Sequence, residues 1–114
     1  MDLTSNWLLA GTPFNAIVAN NDEMAIGAAM ALQQAGKAKG EIAIVGIDGL
    51  PDGLAAIKRG LLAGSVFQDP KAQAAQAVQA AVRMIKGEQV DAQVWVPFEL
   101  ITPEQVGVFE QRYK

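Results

Sequence analysis

Three polar side chains stand where short apolar runs give way: Asn21 after Phe14–Ala19, Asp48 after Glu41–Gly46, and Gln68 at the end of Gly64–Gln68. An amide, a carboxylate and a second amide supply donors and acceptors without demanding a charged partner, which suits the hydroxyls of a neutral sugar or polyol. Each also has a plainer role. Asn21 can cap a helix, Asp48 before Gly49 can form an Asx-turn, and Gln68 before Asp69-Pro70 can be a solvated loop residue. Their joint placement at three successive strand ends says more than any one of them, because ligands of open α/β sheets gather at the carboxyl ends of the strands.

What is missing narrows the chemistry further. The chain has no His and no Cys, so a Ser-His-Asp triad, a Cys-His pair and an ordinary zinc site are excluded. Carboxylates remain the main enzymatic route, through Asp22 and Asp48, but isolated acids at a helix start and a strand end are more often structural. Asp48-Gly49-Leu50-Pro51-Asp52-Gly53 superficially resembles a calcium loop; Pro51 and the lack of a downstream bidentate Glu break that pattern. No P-loop or dinucleotide fingerprint follows a strand. The expectation is a binding protein, not an enzyme, with neither metal nor cofactor. Trp7 and Trp95 could stack on a sugar ring, but both lie in apolar runs away from the polar ends and are expected in the core.

The elements that must position these groups alternate. Asp2–Ala10 reads as a helix ending at Gly11-Thr12-Pro13, and Phe14–Ala19 as a strand of a sheet covered on both faces. Asn20–Glu23 reads as a capping box opening a helix that runs to Ala35. Glu41–Gly46 is the second strand. Pro51 and Gly60 bracket a short helix, and Gly64–Gln68 is the third strand. Asp69-Pro70 starts a helix with Ala74, Val78, Ala81, Val82 and Ile85 on one face. A last strand spans Gln93–Ile101, and Thr102–Gln105 forms a second capping box before a final helix. Alternating strands and helices predict right-handed β-α-β units in an α/β, doubly wound parallel sheet.

With 114 residues, 51% of them hydrophobic and 18% charged, the chain has material for one compact core. The net charge of −3 and scattered Lys and Arg residues argue against a nucleic-acid partner. No apolar stretch approaches the roughly 20 residues that span a bilayer. The opening Met1–Trp7 carries no secretory signal pattern, so either the product is cytosolic or its true beginning lies upstream.

Three ordered segments carry a resemblance. Asn20–Gly27 resembles the Asn-Asp-Glu-Met-Ala-x-Gly signature of ribose-type periplasmic binding proteins, the substrate-capturing parts of ABC importers. Val45–Gly53 and Ala63–Pro70 resemble the strand, turn and hinge approach that follow it, and the similarity covers nearly the whole chain from Asn6. The resemblance implies a periplasmic-binding-protein type I fold with a flavodoxin-like lobe, of which this chain is the C-terminal part. Residues 1–68 would belong to the C-terminal lobe, 69–93 to the N-terminal lobe, and 94–114 would cross back. It further implies that Asn21, Asp48 and Gln68 contact a sugar, with Ile47 standing where the ribose binder has an aromatic residue. It implies a parent located in the periplasm and a permease partner. Apolar faces left uncovered would make the isolated chain self-associate. The competing expectation is the effector-binding core of a lactose-repressor-type regulator, which shares the fold.

Overall fold

The computed structural model describes all of residues 1–114. In chain order its elements are α1 (Asp2–Leu9), β1 (Ala16–Val18), α2 (Asp22–Gln34), β2 (Ala43–Val45), α3 (Pro51–Lys58), β3 (Ser65–Phe67), α4 (Pro70–Ile85), β4 (Glu99–Ile101) and α5 (Val106–Gln111). They divide into two compact units: Met1–Phe67 with Leu100–Lys114, and Gln68–Glu99.

In the first unit β1 and β2 pair in parallel with Ile17 opposite Ile44 and Val18 opposite Val45. Parallel bridges from Val45 to Gly64 and from Asp48 to Phe67 extend the ladder to β3, which pairs in turn with β4. Successive right-handed crossovers in one direction place α2 and α3 on the same face of the strands, and the two helices pack against each other.

That face is the core. Residues opposite one another in a ladder point the same way, and neighbours along a strand point apart. Ile17, Ile44, Ser65 and Phe67 therefore share one side, and all four are buried. Ala25, Ala28, Ala29 and Leu32 of α2 follow the i, i+3, i+4, i+7 stripe of an amphipathic helix. They meet Leu54, Ala56 and Ile57 of α3, and Ile101, Val106 and Phe109 complete the cluster. The small alanines let α2 approach the strands closely.

The expectation that Phe14–Ala19 is covered on both faces is not met: Val18 on the opposite side is 78% exposed. The crossovers put α2 and α3 on one side, which leaves Val18 uncovered. The strands are also shorter than the apolar runs, and the last is confined to Glu99–Ile101 instead of beginning at Gln93.

Capping shifts by one residue in α2. Asn21, not Asn20, is the N-cap, its Oδ1 accepting the Met24 amide at 2.8 Å. Before α5, the Gln105 side chain accepts the Thr102 amide at 3.3 Å, one half of the expected capping box.

The second unit is built around α4. Asp69 caps it, accepting the Ala72 amide at 3.0 Å, and Pro70 occupies the first turn. The apolar face forms as the spacing predicts, yet no residue of α4 is buried; Val78 and Val82 are exposed and Ile85 is 86% exposed.

Candidate functional site

The paired register Val18↔Val45 brings the ends of β1 and β2 to one rim, and Asn21 and Asp48 each lie three residues beyond those partners. Asn21 is half-buried. Because its Oδ1 is taken up by the cap, the amide nitrogen is the edge it offers as a donor. Both roles weighed for this residue are thus compatible in one side chain.

Asp48 is half-buried and holds φ at 124°, a backbone state that side-chain-bearing residues seldom adopt. Its amide donates to Val66 O at 2.9 Å, which keeps the turn against β3. Gly49 follows at φ 68°, where an added Cβ would lie 2.6 Å from Ile101 Cδ1 and 3.1 Å from Phe67 Cα. Glycine is required there by both conformation and space. Tyr113 Oη, just beyond α5, donates to Gly49 O at 3.0 Å and closes the turn. Ile47, just before Asp48, is half-buried.

Beneath this rim sits Asp22, 3% exposed, at the first position of α2. Its Oδ1 accepts the Ser65 hydroxyl at 2.5 Å and its Oδ2 accepts the Gly49 amide at 2.9 Å. Burial pushes its carboxyl above the usual range; the Ser65 hydroxyl and the Gly49 amide oppose this, while the neighbouring negative charge of Asp48 adds to it. The cavity for this side chain depends on two glycines. A Cβ on Gly46 would stand 2.3 Å from Asp22 Oδ1, and one on Gly53 2.0 Å from Oδ2.

Sequence reasoning treated Asp22 as a helix-start acid and passed over Ser65. The available signal was a serine inside the apolar Gly64–Phe67 strand, together with glycines at 46 and 53 flanking the polar turn.

Gln68 opens the second unit. It is half-buried, and its carbonyl accepts the Gln73 side-chain amide at 2.5 Å. With Gln73 and Val94–Phe98 it lines an open groove of about 510 Å³. Trp95 belongs to that groove and is 81% exposed, which corrects the expectation that it packs in a core. A helix and one extended segment supply too few neighbours to enclose an indole. Trp7 is half-buried and meets Phe14 edge-to-face with ring centroids 6.0 Å apart. No group of His, Cys, Asp and Glu is arranged to hold a metal ion, and no helix is long and apolar enough to cross a membrane.

Comparison with known proteins gives a consistent picture. The periplasmic binding protein domain matches residues 2–89. The "Putative rhizopine-binding protein" of Rhizobium meliloti is 47% identical over 109 residues, covering 96% of this chain and 35% of that protein. The ribose import binding protein RbsB of Salmonella typhimurium is 43% identical over 101 residues, covering 89% and 33% respectively. Among solved structures, an ABC transporter solute binding protein from Bacillus halodurans with bound myo-inositol superposes with a TM-score of 0.92. It is 46% identical, and the match covers 98% of this chain and 38% of that one. The chain thus spans about a third of the length of the curated relatives it matches. With parallel strands joined by helices, and with a family match running through both polar turns, this chain belongs to the periplasmic binding protein domain family, in its type I α/β form.

Proposed function

We propose that the chain contributes to the cleft of a solute-binding protein that captures a monosaccharide or related polyol for an ABC importer. The carrying observation is the rim beyond β1 and β2, where the capping Asn21 and the half-buried Asp48 turn each follow the paired Val18 and Val45 by three residues. A carboxylate accepting from a hydroxyl forms a charge-assisted bond, and an amide nitrogen supplies the complementary donor. Ile47 offers an apolar contact of the kind a sugar ring's C–H face requires. Gln68 is assigned as a further hydroxyl partner from the family resemblance. Capture, not turnover, is the expected outcome, since the relatives are binding proteins.

The test is a titration of the chain with myo-inositol and D-ribose, followed by backbone amide NMR at millimolar ligand. Selective shifts at Asn21, Ile47 and Asp48, lost in Asp48→Asn, support the site. Sugars that leave those amides unmoved refute it.

The parent protein is assigned to the periplasm with a permease partner, following relatives named for ribose import and ABC transport. Residues 1–68 are assigned to one lobe and 69–93 to the other, with 94–114 returning; the separation into two compact units supports this in outline, with Gln68 and residues 94–99 falling in the second unit. Self-association of the isolated chain follows from the exposed Val78, Val82 and Ile85 row and the uncovered Val18 side of the strands. Light scattering at high micromolar concentration would show it; a monodisperse monomer would refute it.

A further inference from the structure

The two groups that donate to the Asp22 carboxyl, the Gly49 amide and the Ser65 hydroxyl, both tie it to the Asp48 turn. Asp22 itself follows Asn21 in the chain. The amide it accepts, that of Gly49, is the far half of the Asp48–Gly49 peptide, so this bond fixes the plane of the peptide that leaves Asp48. Ser65, its other partner, lies on β3, whose Val66 carbonyl receives the Asp48 amide. Asp48 is therefore gripped on both sides of its Cα: its own N–H goes to β3, and the next N–H goes to Asp22. Between those two bonds it holds φ at 124°, a state that persists only where the surroundings over-determine it.

The two glycines sharpen the assignment. Gly46 and Gly53 leave room for this carboxyl and for nothing larger than hydrogen on their own Cα atoms. A buried acid is costly to keep, and burial raises its proton affinity here. Helix packing alone would be served as well by an alanine at this place. The donors supplied by Gly49 and Ser65, with the positive ends of the α2 and α3 dipoles, stabilise an acceptor at this point and no other.

We propose that Asp22 is a positioning residue for polyol binding: by accepting the Gly49 amide and the Ser65 hydroxyl, it holds the Asp48 turn in its positive-φ form and in register with Asn21. This role rests on the polyol site proposed above. Asp22 does not touch the sugar; it acts through Asp48.

The experiment compares the chain with its Asp22→Ala, Asp22→Asn and Ser65→Ala variants. Two measurements separate the positioning role from the binding function. Without ligand, the three-bond HN–Hα coupling of Asp48 and the exchange protection of the Gly49 amide report the turn itself. With myo-inositol, the amide titration reports affinity. Asp22→Ala is expected to change the Asp48 coupling toward that of an extended residue, expose the Gly49 amide to exchange, and weaken binding about tenfold, the scale of one lost charge-assisted hydrogen bond. Asp22→Asn keeps an acceptor for Gly49 and can donate to Ser65 Oγ; it is expected to restore the coupling, the protection and the affinity to within about threefold. If Asp22→Ala does not fold, Ser65→Ala carries the test and is expected to loosen Gly49 protection and weaken binding in the same proportion.

An unchanged Asp48 coupling and Gly49 protection in folded Asp22→Ala, or in Ser65→Ala where Asp22→Ala does not fold, overturns the proposal. So does an Asp22→Asn variant that folds but fails to restore them. If no polyol shifts the parent chain while the coupling and protection respond as expected, the polyol site fails and the positioning of the turn stands.

Discussion

Replacing Gly53 with alanine would place a methyl carbon 2.0 Å from Asp22 Oδ2 and 2.5 Å from its Cγ. Two effects oppose one another at this helical position. Alanine is favoured over glycine in a helix interior by about 1 kcal/mol. Against that, overpacking a filled core costs about 1–3 kcal/mol. Relief requires the buried carboxyl to move, which breaks its bond to Gly49 or Ser65 at about 1.5–3 kcal/mol for a hydrogen bond to a charged group. The sum is a net loss of roughly 1.5–5 kcal/mol.

Gly107 supplies the control: it is also helical, in α5, but nothing lies within 4 Å of its Cβ position. Gly107→Ala is expected to stabilise by about 0.5–1 kcal/mol. Thermal unfolding followed by circular dichroism, at one fixed protein concentration because association shifts the midpoint, should separate the two variants in opposite directions. At about 4 °C per kcal/mol, Gly53→Ala should melt roughly 6–20 °C below the parent. A Gly53→Ala protein as stable as Gly107→Ala would refute the account of a carboxyl pressed against α3.

The remaining expectations are briefer. The folded-state pKa of Asp22 lies above the ordinary 3.8, so in the window between the two values the native state binds more protons than the unfolded one. The Asp22 contribution to stability must then fall as pH rises through that window and level off above it. Denaturant titrations across acidic pH should show this slope in the parent minus Asp22→Asn difference; a rising difference would contradict it. Asn21→Ala removes the cap on Met24 and should cost about 1 kcal/mol in urea unfolding, and Asn21→Asp, which keeps an acceptor but no donor, should retain stability while losing affinity for polyol. Ile101→Ala empties a fully buried position and should cost about 2–5 kcal/mol by the same measurement. Val82→Asp on the exposed face of α4 should lower the apparent mass in light scattering while leaving helicity unchanged.

The order of elements and the starts of α3 and α4 were legible in the residues because they depend on local rules. Asn21 before an acidic first turn, Pro51 and Pro70 at first helical positions, and apolar residues at i, i+4, i+7 act within a few residues of themselves. The strand limits were less legible. Phe14–Ala19 and Gln93–Ile101 are largely apolar, but a strand ends where its partner ends, and only Ala16–Val18 and Glu99–Ile101 find partners. Trp95 was misplaced for a similar reason: its apolar neighbours in sequence are not neighbours that enclose it.

By itself, then, the amino-acid order determined an α/β chain without thiol or imidazole chemistry, with amide and carboxylate groups at its strand ends. Only the tertiary structure decided that Asp22 is sealed in a cage of Gly46, Gly49, Gly53 and Ser65. The partners that hold it lie 27 and 43 residues away along the chain. No local pattern encodes a contact at that separation; it arises when the β1–β2 register brings two turns together and the β2–β3 pairing adds Ser65, and burial then turns an ordinary helix-start acid into the tie between them.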